Sequence, residues 1–262
     1  HASLSLGDAT LRQVADSLQN DEGVHIHVAE HEADEEDSLA HYGQRVIERL
    51  HAFGLLCPQT ILAHCVHIDD AERDLIRTNG CWVTHQPRSN MNNAVGAMAF
   101  DTMMDDGMQV CIGNDGFSNA MWEEWKAAYF LHKTTHRDPR RANGAHVAQA
   151  GALHNAALAS AAFGVPIGAL AVGARADVIL VDYHPFTPLT SGNLPWHILF
   201  GFEPSMVTTT ICEGKLLMQD GYVLRDGQEI RVRDIQHDIA FVPGTRVYDT
   251  CRLKVTLSVA GR

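Results

Sequence analysis

Four side chains that can bind metal ions or transfer protons lie at or just beyond the ends of short apolar segments. They are His27, Glu30, His64 and Asp115. Imidazole and carboxylate groups are ligands of borderline divalent cations such as zinc. A cation that keeps one coordination position open lowers the pKa of a bound water to about 7. These residue types therefore predict metal-assisted hydrolysis.

The spacing of these residues fits that chemistry. His25 and His27 are two positions apart, so both point to the same side of a strand. The deeper His25 is expected in the core or directly behind the metal ligands. Glu30 follows the strand, where a carboxylate can lie over the mouth of a barrel without binding the metal. The acidic run at 34–37 is expected to form a solvated helix start, which the helix dipole favours.

Alternating strands and helices must position these groups. The predicted strands end at or near the chemically active residues and cover 24–29, 60–66, 81–85 and 108–114. The predicted helices cover 8–20, 35–53, 69–78, 97–106, 120–134 and 141–163. The segment QPRSNMNN (86–93) is expected to be an irregular loop. This alternation predicts an α/β fold with parallel strands, and a βα barrel builds its site at the carboxyl ends of such strands.

The sequence changes character after Gly164. Short strand-like segments punctuated by glycine follow at 176–183, 205–215, 216–219 and 222–224. This texture predicts a second, mostly β unit, with the boundary between 164 and 175.

Composition narrows the class of function. The net charge of −12 repels phosphate backbones, so nucleic acid is not expected as a partner. The chain has no apolar run of 18 residues, so no membrane span is expected. The six cysteines form no CxxC pair, and Cys65, Cys81 and Cys111 lie in or beside apolar runs. Such cysteines are typical of a reducing compartment, and a cytoplasmic location is expected.

Several motifs together resemble a known superfamily. VHIHVAE (24–30), LAHCVH (62–67), QPRSN (86–90) and IGNDGFSN (112–119) resemble consecutive motifs of amidohydrolase-superfamily deaminases. GARADVILVD (173–182) resembles the return of that superfamily into its β-sandwich domain. Within the superfamily, the likeness is to the SsnA group of aminohydrolases, relatives of guanine deaminase and of the triazine (ATZ/TRZ) and chlorohydrolase enzymes.

The resemblance implies a fold and a division into domains. Residues 1–170 would form units five to eight, the C-terminal half, of a metal-dependent hydrolase TIM (β/α)8 barrel. Residues 171–262 would form part of a β-sandwich domain, with an atypical tail at 226–262. The superfamily's first motif, an HxH pair that supplies two metal ligands, has no counterpart here. We therefore expect this polypeptide alone to bind metal weakly and to be inactive.

The resemblance also implies residue roles. His27 and Asp115 would bind one divalent metal, with zinc expected and iron as the other candidate. Glu30 would shuttle protons, His64 would contact the attacking hydroxide and the substrate, and Asp115 would take the proton of the water. Arg88 and Asn90 would lie at the substrate. The implied reaction is hydrolytic deamination of an aminated N-heterocycle such as a purine, pyrimidine or triazine, by an enzyme of a type that commonly forms homodimers.

Other interpretations remain open at this point. A chlorohydrolase uses a nearly identical site to dechlorinate a triazine. A binuclear hydrolase with a carboxylated lysine is another enzyme candidate, although Glu30 three residues after His27 favours the mononuclear deaminase type. A third hypothesis is a non-catalytic α/β interaction module or pseudoenzyme, which would complete its sheet with a partner.

Overall fold

The computed structural model describes residues 1–19, 22–220, 222–225 and 228–231. The chain divides into two compact units. The first contains His1–Ala174 and Pro185–Phe202, and the second contains Arg175–His184 and the described residues from Glu203 onward. The sequence analysis predicted one boundary between 164 and 175. In the structure, residues 185–202 also belong to the first unit.

The first unit alternates short strands with helices. Its strands are β1 (His25–Val28), β2 (Ile61–His64), β3 (Trp82–His85) and β4 (Gln109–Ile112). Its helices before β4 are α1 (Asp8–Ser17), α2 (Glu32–Tyr42), α3 (Val46–Ala52), α4 (Asp70–Thr78), α5 (Pro87–Asn92) and α6 (Phe100–Asp105). The helices after β4 are α7 (Met121–His136), α8 (Gly144–Ala148), α9 (Asn155–Phe163) and α10 (Leu194–Gly201).

The four strands form one parallel sheet in the order β1-β2-β3-β4. His27 lies beside Ala63, and Val28 lies beside His64, so the ends of β1 and β2 are level. The prediction of parallel strands with crossover helices is confirmed. Since all four strands end at the same edge, the groups that follow them are brought together.

The core of the first unit lies between the sheet and the helices. Its strand members are apolar and buried, among them Ile26, Val28, Leu62, Val83 and Val110. Each such side chain stabilises the fold by about 1.5–3 kcal/mol relative to exposure. The predicted burial of Cys65, Cys81 and Cys111 is confirmed.

One prediction about β1 is wrong. His25 was expected in the core, but its side chain is exposed. β1 is the first strand of this four-stranded sheet, and among the described residues its other edge is met by a single bridge between His27 and Ala2 rather than by a further strand. His25 therefore lacks the cover that a full neighbouring strand would give it.

The opposite edge of the sheet is covered by side chains. The amide of Asn155 accepts a hydrogen bond from Ile112 N at 3.0 Å and donates one to Ile112 O at 2.8 Å. The Nδ1 atom of His154 lies 2.8 Å from Val110 O. Backbone groups of β4 that would otherwise template another strand therefore have partners within the unit.

Three helical predictions needed correction. The helix expected at 35–53 is interrupted at Gly43, whose φ of 68° ends α2 in the left-handed conformation. The segment 86–93 is not a loop, because Pro87 starts α5 at the first helical position, where its fixed φ suits a helix. The helix expected at 141–163 includes a π-helical segment, Gln149–His154. The sequence pattern also gave no prediction for α10.

The first two residues of the acidic run at 34–37 are buried, whereas Glu36 is exposed as expected. Asp34 is 6% exposed and Glu35 is 4% exposed. Asp34 accepts hydrogen bonds from Ser3 Oγ at 2.8 Å and from Ala29 N at 2.6 Å. Glu35 accepts one from Val46 N at 3.2 Å. The expectation failed because periodicity does not reveal which carboxylates find buried donors.

The second unit is an antiparallel sheet in the order β5-β6-β7-β8-β9. Its strands are β5 (Val178–Val181), β6 (Val207–Cys212), β7 (Lys215–Gln219), β8 (Tyr222–Arg225) and β9 (Gln228–Arg231). Assignment of this sheet to a β-sandwich stays a prediction. The predicted atypical tail lies outside the described residues from 232 onward. Among the helices that the structure describes, none is long and apolar enough to cross a membrane.

Candidate functional site

The ends of β1 and β2 bring three possible metal ligands together. Donor atoms of His27, Glu30 and His64 all lie within 4.8 Å of one another. The two imidazole rings meet edge to face, with centroids 5.1 Å apart and an interplanar angle of 88°. The level register of the two strands produces this contact, because His27 and His64 are on neighbouring strands one position apart.

Two carboxylates flank the buried ring of His64. Its Nε2 atom lies 3.6 Å from Glu30 Oε2 and 3.9 Å from Asp115 Oδ2. The His64 side chain is 1% exposed, whereas those of Glu30 and Asp115 are 27% and 34% exposed. The imidazole therefore lies at the buried side of the site, and the carboxylates lie at its solvent-exposed side.

The backbone at this site takes up an uncommon conformation. Ala29, His64 and Asp115 have φ values of 46°, 74° and 49°. Left-handed non-glycine residues cost about 1–3 kcal/mol each and persist only where surrounding contacts enforce them. The buried Asp34 carboxylate does so for Ala29 through its 2.6 Å hydrogen bond. Such strain clusters where side chains must be aimed at a common point.

The electrostatics of His27 favour a neutral ring. Burial lowers the pKa of His27, and the neighbouring His64 lowers it further, while Asp115 and Glu30 oppose the shift. A neutral imidazole keeps the lone pair that a metal ligand needs. Together with the nearby carboxylates, it forms a nitrogen and oxygen donor set that fits a borderline divalent cation.

The predicted metal pair is only partly gathered. His27 belongs to the group of three mutually close donors, but the other two members are Glu30 and His64 rather than Asp115. Asp115 is next to this group through its 3.9 Å approach to His64. All four residues singled out by type and spacing therefore lie in one neighbourhood.

Asn90 lies in the same neighbourhood, behind His64. Its Oδ1 atom is 3.4 Å from His64 Nδ1, and its side chain is fully buried. The amide therefore contacts the imidazole directly. Its predicted contact with substrate stays a prediction.

The hydrogen bonds of the Arg88 side chain are with residues outside this cluster. Its guanidinium binds Glu124 Oε1 and Glu123 Oε2, both at 2.6 Å, and donates to Ser118 O at 2.7 Å. It also lies over the ring of Phe117, 5.2 Å from the centroid. These contacts fasten the loop after β4 to α7, so the structure does not bring Arg88 to the other predicted site residues.

Three polar residues that are not among the predicted site residues also touch the site. Gln86 Oε1 accepts a hydrogen bond from His64 N at 3.0 Å. Ser89 Oγ donates to Asp115 Oδ2 at 2.6 Å, and Asn93 Nδ2 donates to Glu30 Oε1 at 2.9 Å. The signal that could have found them is their spacing of three to four residues, which is helical rather than loop-like.

A second pair of imidazoles is formed by His85, which directly precedes this polar segment, and His132 of α7. His85 Nε2 and His132 Nε2 are 3.0 Å apart, and both side chains are fully buried. Burial lowers the pKa of His132 to about 4 and that of His85 well below its ordinary value. One neutral ring donates to the other, and the pair ties β3 to α7.

Comparison with known proteins gives a family and several relatives. A family model described as the amidohydrolase family matches residues 1–217. A 5'-deoxyadenosine deaminase of Methanosarcina mazei is 33% identical over 229 residues, which cover 86% of this chain and 52% of the relative. A 5-methylthioadenosine/S-adenosylhomocysteine deaminase of Haloarcula marismortui is 30% identical over 92% of this chain and 56% of its own length.

A solved structure is similar in fold and sequence. It is an adenosine deaminase from Xanthomonas campestris with bound zinc, which matches with a TM-score of 0.74 and 27% identity over 84% of this chain and 51% of that chain. The chain thus spans about half the length of the relatives that it matches.

Proposed function

We propose, from the premise that the chain belongs to the amidohydrolase family, that the protein hydrolytically deaminates an adenosine-type purine. The observation that carries the proposal is the placement of His64 Nε2 between Glu30 and Asp115, with His27 beside it. Two relatives that are 30–33% identical to this chain are named as deaminases, one of 5'-deoxyadenosine and one of 5-methylthioadenosine and S-adenosylhomocysteine. The assembled cluster supports an enzyme over a non-catalytic interaction module, which would need no such convergence.

His27 and Asp115 would hold the metal, with Glu30 and His64 close to it. A bound divalent cation would lower the pKa of a water molecule and so provide a nucleophilic oxygen near neutral pH. Zinc is the proposed ion, because the donor set is imidazole and carboxylate and a structural neighbour binds zinc. Iron is the other candidate, since histidine and carboxylate sites accept it too.

The chain's own residues would move the protons. Asp115 would take one proton of the attacking water, and Glu30 would give its own proton to the ring nitrogen. Glu30 would then recover the second proton of that water from the added hydroxyl and pass it to the leaving amine, and the proton on Asp115 would return to Glu30. His64 would accept a hydrogen bond from the attacking water through Nε2 and so hold its oxygen near the ring carbon. Water adds to the ring carbon, the carbon–nitrogen bond breaks, and ammonia leaves a carbonyl behind. The 3.6 Å separation of Glu30 and His64 allows both to reach one reacting centre.

Arg88 and Asn90 support the substrate side of the proposed site. Arg88 fastens the loop that carries Asp115, through its bonds to Ser118 and Glu123. Asn90 contacts the ring of His64. A direct contact of either side chain with the substrate remains part of the proposal.

Ammonia release by the zinc-loaded protein, expressed from its complete gene, tests the proposal. The substrates are 5'-deoxyadenosine, guanine and a chlorotriazine, compared at equal concentration. We expect ammonia from 5'-deoxyadenosine well above the rate with guanine. Chloride release from the chlorotriazine without deamination would instead identify a dechlorinating enzyme. No ammonia from any aminated heterocycle would contradict the proposed function.

A further inference from the structure

One short helix faces the whole proton-transfer set of the site. α5 and its two flanking residues, Gln86 and Asn93, form a continuous polar segment directly after β3. Hydrogen bonds from this segment reach three residues, Glu30, His64 and Asp115. Each of these residues comes from a different strand end or the loop beyond it, so α5 is the element that they have in common.

Two side chains of this segment hold His64. Its left-handed backbone, with φ of 74°, presents the amide to Gln86 Oε1 at 3.0 Å. The amide of Gln86 is fixed in turn by donation to Thr84 Oγ1 at 2.6 Å. The ring of His64 lies with Nδ1 3.4 Å from Asn90 Oδ1. If Nδ1 carries the proton, it donates a hydrogen bond to Asn90 Oδ1. Nε2 then has a lone pair on the side of the ring where the two carboxylates lie.

The carboxylates are held by the other two members. Ser89 Oγ donates to Asp115 Oδ2 at 2.6 Å, and Asn93 Nδ2 donates to Glu30 Oε1 at 2.9 Å. Both carboxylates are partly exposed, so without such donors they would rotate among several rotamers. In Glu30 the oxygen that Asn93 leaves free is the one 3.6 Å from His64.

Helical spacing explains how one short helix can contact all three residues. Positions 86, 89, 90 and 93 are separated by three or four residues and share one face of a helix. Met91 is on the same helix but is 50% exposed. The polar face of α5 is therefore turned to the site, and a residue of the opposite face provides a control.

We infer that α5 is the positioning element of this site, with Asn90 fixing the Nδ1–H tautomer of His64 as its central contact. The inference rests on the proposed function for the roles of Glu30, His64 and Asp115. The contacts themselves are independent of which heterocycle is deaminated.

The proton position on His64 tests this inference without turnover. Two-bond ¹H–¹⁵N correlation spectra of the metal-free protein with ¹⁵N-labelled histidine, at about pH 8 where imidazoles are neutral, report each tautomer, and His64→Gln assigns the signal. We expect wild-type His64 to carry its proton on Nδ1. Asn90→Leu should shift the tautomer ratio by about 2- to 10-fold, as the loss of one hydrogen bond implies.

Two further variants separate positioning from a structural role. Asn90→Gln keeps an uncharged amide acceptor and should keep the proton on Nδ1, and Met91→Ala should leave the tautomer unchanged. A proton on Nε2 in the wild-type protein, or identical spectra for wild type and Asn90→Leu, would overturn the inference. The wild-type spectrum alone decides if Asn90→Leu does not fold. Failure of the ammonia assay with an intact Nδ1–H signal would overturn the proposed function instead.

Discussion

Among the single residues of the site, His64 and Glu30 differ in their surroundings. His64 is buried and held on both its backbone and its ring, while Glu30 is partly exposed and is held at one oxygen by Asn93. A residue that must carry a proton between two atoms needs this freedom at its other oxygen. A residue that must orient an oxygen needs rigidity. The structure therefore supports the proton-shuttle role for Glu30 rather than for His64.

Glu30→Gln should remove most of the proposed activity. The amide keeps the shape and can still accept a hydrogen bond from Asn93, but it cannot carry the proton. We expect kcat to fall by about 10²- to 10⁴-fold, the usual contribution of general acid–base catalysis. Steady-state kinetics of ammonia release measure the effect. Glu36→Gln, at an exposed position of α2, is the matched control. A kcat within twofold of wild type would rule out Glu30 as the proton carrier.

At the scale of elements, the first turn of α2 braces the site from behind. Asp34 holds the left-handed Ala29 that precedes Glu30. Its neighbour Glu35 lies 3.5 Å from the guanidinium of Arg45 and accepts from Val46 N, at the start of α3. Burial, and then the nearby charge of Glu72, raise the pKa of Glu35 to about 8. This shift favours the protonated form of Glu35 in the folded protein.

This raised pKa makes stability depend on pH in a defined direction. A carboxyl whose pKa rises on folding stabilises the folded state at low pH. For Glu35 this stabilisation is lost as the pH rises from 4.5, the ordinary pKa of the carboxyl, to about 8, its pKa in the folded protein. Glu35→Gln stays neutral throughout and can still accept from Val46. The Tm of this variant minus that of wild type should therefore grow across this interval and level off above it. Thermal unfolding followed by circular dichroism gives both values.

Glu36→Gln serves again as the control, because its side chain is exposed on the same helix. Its Tm difference from wild type should show no comparable rise over that pH range. A Tm difference for Glu35→Gln that does not change with pH would show that Glu35 is ionised in the folded protein.

At the scale of the whole molecule, the sequence predicted what depends on local pattern. Apolar runs bounded by turn residues identified all four parallel strands, and residue type identified His27, Glu30, His64 and Asp115. It missed what depends on tertiary partners. The burial of Asp34 requires donors from Ser3 and Ala29, and no periodicity reports such donors.

The same limit applies to α5. Pro87 and three asparagines in the segment 86–93 indicate a loop by local propensity. In the structure the segment is a helix whose polar side chains bind site residues from other strand ends. Tertiary hydrogen bonds outweighed a weak local preference there, and this is also where the positioning residues lie.

The proposed metal site can be tested by measuring the metal content of the protein. The protein, expressed from its complete gene and dialysed, is analysed for divalent metals as wild type, His27→Ala and His41→Ala, an exposed histidine of α2. We expect about one tightly held zinc per chain in wild type and in His41→Ala, and loss of that zinc in His27→Ala. An active wild-type protein without retained metal, or equal metal in His27→Ala, would contradict it.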